Sequence, residues 1–370
     1  MKDELAEKLL VTVMGWDAIE AARERAVIQD LARYKYDEYQ QFAPGMGFVE
    51  SLARWLFQFS ETGERQAAYQ FVKEKMIFCS SAEIQHLVAL AYHDRVRPHL
   101  IKSTAVENDF DSRQVAKIVN SMEFRVRQRQ TLFLGLSDGA RIDIFRRANS
   151  PNLNHEQISR SHELSDARVA DLLEELNSDL IAIAGNDAPS DPKFRTLVLL
   201  DDFSASGLSY YMPKVDKPVG GKLGSFFRAV SDPDNALHKL FDLAQTDLYI
   251  VLYVATEQAK THIESMTCEV WGSNVSATQL EIVQMLPEVY RMSIGECGDL
   301  DGVIDNYYDD AIHDRHMQKG ETDDGKFGFA ACGLPLVMHH NTPNNSIALL
   351  WSYEDTEVRG LFPRVRRHRA

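Results

Sequence analysis

Leu197-Val198-Leu199-Leu200-Asp201-Asp202-Phe203-Ser204-Ala205-Ser206-Gly207-Leu208-Ser209 is the stretch on which the reading of this chain turns. Four apolar residues in a row make a strand buried on both faces, as in a parallel sheet. Two acids close the strand, and a small, hydroxyl-rich loop with one glycine follows. Carboxylates at a strand's carboxyl end accept hydrogen bonds from sugar hydroxyls, and such a loop turns its amides toward a phosphate. The stretch points to a sugar-phosphate site. The plainer alternative is a parallel strand ending in solvated acids before an ordinary turn.

An apolar strand closed by acids is also the magnesium-binding strand of nucleoside triphosphatases. That reading requires an upstream G-x-x-x-x-G-K-[ST] loop, and none is present. The nearest imitation, Val219-Gly220-Gly221-Lys222-Leu223-Gly224-Ser225, lies downstream with the wrong spacing.

Upstream, Leu132-Phe133-Leu134-Gly135-Leu136 reads as a second buried strand. Ser137-Asp138-Gly139-Ala140 is a tight turn, and Arg141 to Ala148 continues as a helix. A helix entered from a small-residue turn offers free amides and a positive dipole end to an anion. The alternative is a left-handed turn served by Gly139. Residues 155–178 read as helix, Asp179 to Ala184 as a strand, and 185–192 as a loop. Residues 212–225, rich in Pro, Gly and Lys, read as a mobile cover, with Lys222 as a phosphate contact or a plain surface lysine. Leu248 to Val254 is a further apolar strand, followed by a helix from Glu257 to Glu264. Apolar strands alternating with helices predict an α/β fold, a parallel sheet with helices on both faces. Its ligand crevice lies at the strands' carboxyl ends.

Residues 1–128 read as helical. Ser80 and Glu83 have capping-box spacing, Pro98 is expected to close that helix, and another is expected over 112–128. Arg125, Arg127 and Arg129 at its end are solvated or paired, or else a phosphate clamp. Residues 298–326 are acidic and lack calcium-loop spacing. Two apolar segments then flank Asn341-Thr342-Pro343-Asn344-Asn345, which suits a turn or the lining of a pocket. His339 and His340 are adjacent and point to opposite faces of a strand, so they make no joint metal site.

The chain of 370 residues carries a net charge of −15, which disfavours wholesale binding to duplex nucleic acid. The exception is the end of the sequence, where Arg359, Arg364, Arg366, Arg367 and Arg369 offer a local contact to nucleic acid or an acidic partner. Cys79, Cys268, Cys297 and Cys332 lie too far apart for a zinc pattern or a disulfide framework. No apolar stretch has the length of a membrane span, so no membrane contact is expected. The first residues carry acids and no signal-peptide pattern. A cytoplasmic location is expected.

The central stretch resembles the ribose-5-phosphate motif of the type I phosphoribosyltransferases. Asp201 and Asp202 match the acids, Phe203 the first apolar place, and Ser206, Gly207 and Ser209 the phosphate loop. Ser204 departs from the usual aliphatic residue, and Ala205 from members with a catalytic Asp there. The resemblance implies Asp201 and Asp202 as catalytic acids holding ribose hydroxyls, with Mg²⁺ near them through ligand hydroxyls or water. It implies Ser204, Ala205, Ser206, Gly207, Leu208 and Ser209 around the 5′-phosphate. Ser137, Asp138, Gly139 and Lys222 are then expected to face pyrophosphate. The ligand is expected to be phosphoribosyl pyrophosphate or a nucleotide.

The chain also resembles a narrower group of phosphoribosyltransferase-like proteins encoded beside bacterial anti-phage systems, including some retrons. Leu136 to Gly139, Asp201 to Gly207, Gly221-Lys222 and Asn341 to Trp351 carry that resemblance. It implies an effector or regulator with protein partners of a defence system. The expected division is a helical region over 1–128, a phosphoribosyltransferase-like α/β domain with a C-terminal hood over 129–353, and a basic tail over 354–370. Two other classes stay open: a nucleotide-sensing module without catalysis, and a partner-docking subunit.

Overall fold

The computed structural model describes residues 3–150, 152–161, 164–212 and 219–364. Among these, seven strands form: β1 (Ile77–Cys79), β2 (Thr131–Gly135), β3 (Ile158–Arg160), β4 (Thr196–Ser204), β5 (Asp247–Thr256), β6 (Ala277–Leu286) and β7 (Leu336–Met338). The chain packs as two compact units, Gln85–Leu286 and Met1–Ile84 with Pro287–Ala370.

The unit Gln85–Leu286 is built on a five-stranded sheet in the order β3-β2-β4-β5-β6, every pair parallel. Leu134 stands beside Leu199, Leu199 beside Ile250, and Ile250 beside Leu280. Helices Ile142–Asn149, Asp166–Ala184, Gly221–Ser231 and Glu257–Trp271 connect successive strands. On one face Leu132, Leu134, Leu197, Leu199, Leu248 and Ile250 pack with Leu172, Leu176 and Leu180 of the second helix and Ile263 of the last. On the other face Phe133 meets the rings of Tyr92 and Phe145, and Tyr249 meets His99. β4 and β5 are therefore covered on both sides, which is why their sequences are continuously apolar. The expected α/β class with a parallel sheet stands.

Several local expectations need correction. Asp179–Ala184 is not a strand but the last part of helix Asp166–Ala184; Val169, Leu172, Leu176 and Leu180 are buried at helical spacing while Ile181 is 53% exposed. Ile158, expected in a helix, begins strand β3. Pro98 does not end its helix. A π-helical segment, Ala91–Val96, precedes it, and Pro98 sits in the first turn of helix Arg97–Glu107, where its missing N–H is no loss. The helix expected over 112–128 is two, Val115–Val119 and Met122–Arg129, because the Ser121 hydroxyl caps the second by accepting from the Phe124 amide. The helix from Glu257 runs on to Trp271. The Ser80–Glu83 capping box is present in both directions, at 2.8 and 3.2 Å. Arg127 and Arg129 are buried and paired, Arg127 with Glu107 and Asp247, Arg129 with Asp179 at 2.6 Å.

In the other unit, β1 and β7 pair in parallel, Phe78 beside Val337. Helices Phe48–Phe57 and Thr62–Glu74 enclose a core that includes Phe48, Trp55, Phe59, Leu350 and Phe362. The Asn341–Asn345 turn is tied into this core. The Thr342 hydroxyl bonds to the Phe362 carbonyl at 2.9 Å, its amide donates to the Tyr39 hydroxyl, and the Asn345 amide group donates to the Phe329 carbonyl. No helix among the described residues is long and apolar enough to cross a membrane.

Candidate functional site

In a parallel sheet ordered β3-β2-β4-β5-β6 the chain leaves β2 toward one side and β4 toward the other. The crevice between their carboxyl ends is the topological switch point, where such sheets take ligands. The two sequence-predicted segments, Ser137–Gly139 and Asp201–Ser209, meet there. Pairing continues one step past β2, since the Leu136 amide donates to the Leu200 carbonyl at 2.9 Å. The chain then turns through Ser137–Ala140 and enters helix Ile142–Asn149 from Arg141, whose φ is 51°.

Asp201 and Asp202 are neighbours with different surroundings. Asp201 is fully buried. Its Oδ1 accepts from the Ser137 hydroxyl, and its Oδ2 accepts from the Tyr210 hydroxyl at 2.7 Å and from the Lys222 ammonium. Burial and the adjacent carboxylates raise the Tyr210 phenol well above its ordinary value, so it stays a donor. Asp202 is half-buried, and its Oδ1 accepts from the Phe203 amide at 2.9 Å. Burial first, and the Asp201 charge second, push its carboxyl up to about 6. Gly139 lies directly beneath it. A Cβ at that position would stand 2.6 Å from Asp202 Oδ1 and nearer still to Cγ and Oδ2. Gly139 is required for this close approach and is not among the left-handed residues; the positive φ belongs to Arg141.

The loop after β4 is tightly wound. Gly207, at φ 78°, sits against the His262 ring, so a side chain there is excluded on both counts. The Gly207 amide donates to the Ser204 hydroxyl at 3.2 Å and the Leu208 amide to Ser206 at 3.3 Å. Thr256 holds the Ala205 carbonyl. Ser204, Ala205 and Ser206 are buried, Leu208 is half-buried and Ser209 exposed. Among the described residues the Ser206 and Ser209 amides donate to no partner. They are the loop's available donors for an anion.

The structure thus gathers Asp201, Asp202, Ser137, Gly139, Lys222 and the Ser204–Ser209 loop. Asp138 is apart: its side chain is 87% exposed and reaches Arg160 at 4.0 Å. Lys222 lies on the Ser209–Tyr210 side, with its amide donating to the Ser209 carbonyl at 2.9 Å. Sequence reasoning missed Tyr210, Tyr253, Arg141 and Arg160. The Tyr253 hydroxyl, from β5, donates to the Ala140 carbonyl at 2.6 Å and fixes the Ser137–Ala140 turn. Arg160 ends β3 beside Gly135. The available signals were a tyrosine closing the loop, Tyr210, and an arginine just past the turn, Arg141.

Among the described residues no three His, Cys, Asp or Glu side chains cluster as metal ligands. Residues 213–218 of the expected cover lie outside the described residues, as do Arg366, Arg367 and Arg369 of the basic tail. Arg359 pairs with Glu354 at 3.2 Å, and Arg364 lies 5.9 Å from the Trp351 ring.

A family model described as PRTase-CE matches residues 52–364. No curated protein and no solved structure matches the chain.

Proposed function

The chain belongs to the PRTase-CE family, a phosphoribosyltransferase-like family, and from that premise we propose that it binds a ribose 5-phosphate ligand, phosphoribosyl pyrophosphate or a nucleotide, at the β2–β4 switch point. The observation that carries this reading is the Asp202 carboxyl seated on Gly139 beside a loop with two available amides. A half-buried carboxylate suits a ribose hydroxyl; loop amides suit a phosphate. The reaction such a site serves is ribosyl transfer. An acceptor forms a bond to ribose C1 as the C1–oxygen bond to pyrophosphate breaks, and the electron pair leaves with pyrophosphate. Mg²⁺, when bound with the ligand, would neutralise that leaving charge. Asp202, whose half-buried carboxyl borders the crevice, would reach such an ion through water or the ligand's hydroxyls.

Titration calorimetry with phosphoribosyl pyrophosphate and Mg²⁺ tests this. Binding by the wild type and its loss in Asp202→Asn supports the reading; a wild type that binds neither this ligand nor a nucleoside monophosphate overturns it.

Ala205 favours a second reading, a nucleotide sensor without turnover. The loop from Phe203 to Ser209 contains no carboxylate to accept a proton from an acceptor. Binding without pyrophosphate release, across a panel of bases and nucleotides, selects the sensor. The resemblance to proteins encoded beside anti-phage systems supports a role as effector or regulator in bacterial defence, acting in the cytoplasm with partner proteins. Truncation after Arg364, which keeps the buried Leu361 and Phe362, would assign the basic tail to a partner or nucleic acid if it abolished complex formation while sparing ligand binding.

A further inference from the structure

We propose that Asp201 is a positioning residue that does not touch the ligand: it holds Lys222, and the Lys222 ammonium binds the 5′-phosphate and not the pyrophosphate. This rests on the ribose-phosphate reading above and assigns roles within it.

Asp201 has no exposed surface, and its two oxygens already take three donors, from Ser137, Tyr210 and Lys222. A sugar diol would have to break that set to reach it. A buried carboxylate needs a paired charge, because losing the partner leaves an uncompensated ion in a low dielectric. Lys222 is that partner. Its side chain is 32% exposed, so one end of the pair faces outward while the other does not.

The start of the helix that carries Lys222 is tied to the end of the Ser204–Ser209 loop. The Lys222 amide donates to the Ser209 carbonyl at 2.9 Å, and the Leu223 amide to the Tyr210 carbonyl at 3.0 Å. Met212 and Gly220 exchange two backbone hydrogen bonds, at 3.2 and 2.9 Å. Gly221, at φ 86°, lies so close to the Tyr210 carbonyl that any side chain would collide with it. The ammonium sits 5.1 Å from the centre of the Tyr210 ring. Every one of these ties runs to residues 209–212, the end of the Ser204–Ser209 loop. The Ser137–Gly139 turn touches Asp201 through the Ser137 hydroxyl, on the other carboxylate oxygen. The cation therefore belongs with the loop amides of Ser206 and Ser209, where an incoming phosphate gains both charge and donors.

The test is calorimetry on the full chain with three separate probes, ribose 5-phosphate, inorganic pyrophosphate with Mg²⁺, and phosphoribosyl pyrophosphate with Mg²⁺. Lys222→Met should weaken ribose 5-phosphate by about 10- to 100-fold, the loss of one charged hydrogen bond, and leave pyrophosphate unchanged. Lys222→Arg should restore part of the loss. Asp201→Asn should weaken ribose 5-phosphate comparably, and Asp201→Asn with Lys222→Met should bind no worse than either alone. A pyrophosphate-specific loss in Lys222→Met, or losses that multiply in the double variant, would overturn the assignment. A wild type that binds none of the probes refutes the ribose-phosphate reading instead. The pairing is then decided without ligand: Lys222→Met must lower the unfolding midpoint and the added Asp201→Asn must recover it, and equal midpoints overturn it.

Discussion

Gly139→Ala should damage the protein only while Asp202 is present. The added Cβ would lie 2.6 Å from Asp202 Oδ1 and closer to two more atoms of that carboxyl, well inside van der Waals contact. The carboxyl must shift, yet its Oδ1 is held by the Phe203 amide and its position is half-buried. Overpacking of this kind costs about 1–3 kcal/mol. Gly139 is not held at a positive φ, so an alanine there also gains about 0.4–1 kcal/mol from a less flexible unfolded chain. The net expectation is a loss of about 1–2 kcal/mol. In an Asp202→Ala background the obstacle is gone, and the same substitution should be neutral or slightly stabilising. The coupling between the two sites is then about 2 kcal/mol. Native-state hydrogen exchange on the amides of Thr131–Gly135 and Thr196–Ser204 reads this within the unit that holds the site. An equal cost of Gly139→Ala in both backgrounds would refute the argument that Asp202 dictates the glycine.

The Asp202 carboxyl also predicts a pH dependence. Its folded value of about 6 lies above the ordinary 3.8, so between those values the folded chain binds more protons than the unfolded one. Stability should therefore fall as pH rises through that window and level off above it; Asp202→Asn should remove this slope, read as the urea midpoint of wild type minus variant from pH 4 to 7. Asp179→Asn should destabilise by about 3–5 kcal/mol, because it strands the buried Arg129, whose Nε is held by Asp179 and whose Nη atoms have no hydrogen-bond partner among the described residues. Arg129→Met should cost far less, and similar losses for both in chemical denaturation would refute the asymmetry. Thr342→Val should lower the stability of its unit by about 1 kcal/mol, because it removes one of the two donors, Thr342 and Tyr39, to the buried Phe362 carbonyl; an unchanged thermal midpoint would return the Asn341–Asn345 turn to a ligand-lining role.

What the sequence disclosed follows from burial. β4 and β5 are covered on both faces, so their residues are apolar without interruption and the strands stand out. β6 is an edge strand. Thr278, Gln279, Glu281 and Gln284 interrupt its apolar residues, and no strand is evident there before the fold is known. The opposite error occurs at Leu180-Ile181-Ala182-Ile183-Ala184, which is apolar enough to pass for a strand; only the exposure of Ile181 shows that it is a helix with one buried stripe. The unit that joins Met1–Ile84 to Pro287–Ala370 depends on β1 pairing with β7 across most of the chain, a contact that no contiguous stretch reveals. At the site, the acids and loop were legible as residue types. Their partners were not, because Tyr210 and Lys222 reach Asp201 through a fold in the chain and not through spacing.

The unlike roles of two adjacent acids are a consequence of strand geometry. Successive residues of a strand point to opposite faces, and Asp201 and Asp202 both lie within β4. Asp201 falls on the face of Leu197 and Leu199, the face that carries Tyr210 and Leu223 in the same apolar cluster. It is buried there and must be neutralised there, which Lys222 does. Asp202 falls on the other face, against the turn that Tyr253 braces. Lys222 pulls the Asp202 carboxyl down as well, but burial and the Asp201 charge outweigh it, and its pKa rises. Two adjacent carboxylates at the mouth of a crevice repel a bare polyphosphate unless positive charge is brought in with it. That repulsion is a physical reason to expect a cation to enter with the ligand. Loss of either acid should be felt in binding, that of Asp202 directly and that of Asp201 through Lys222.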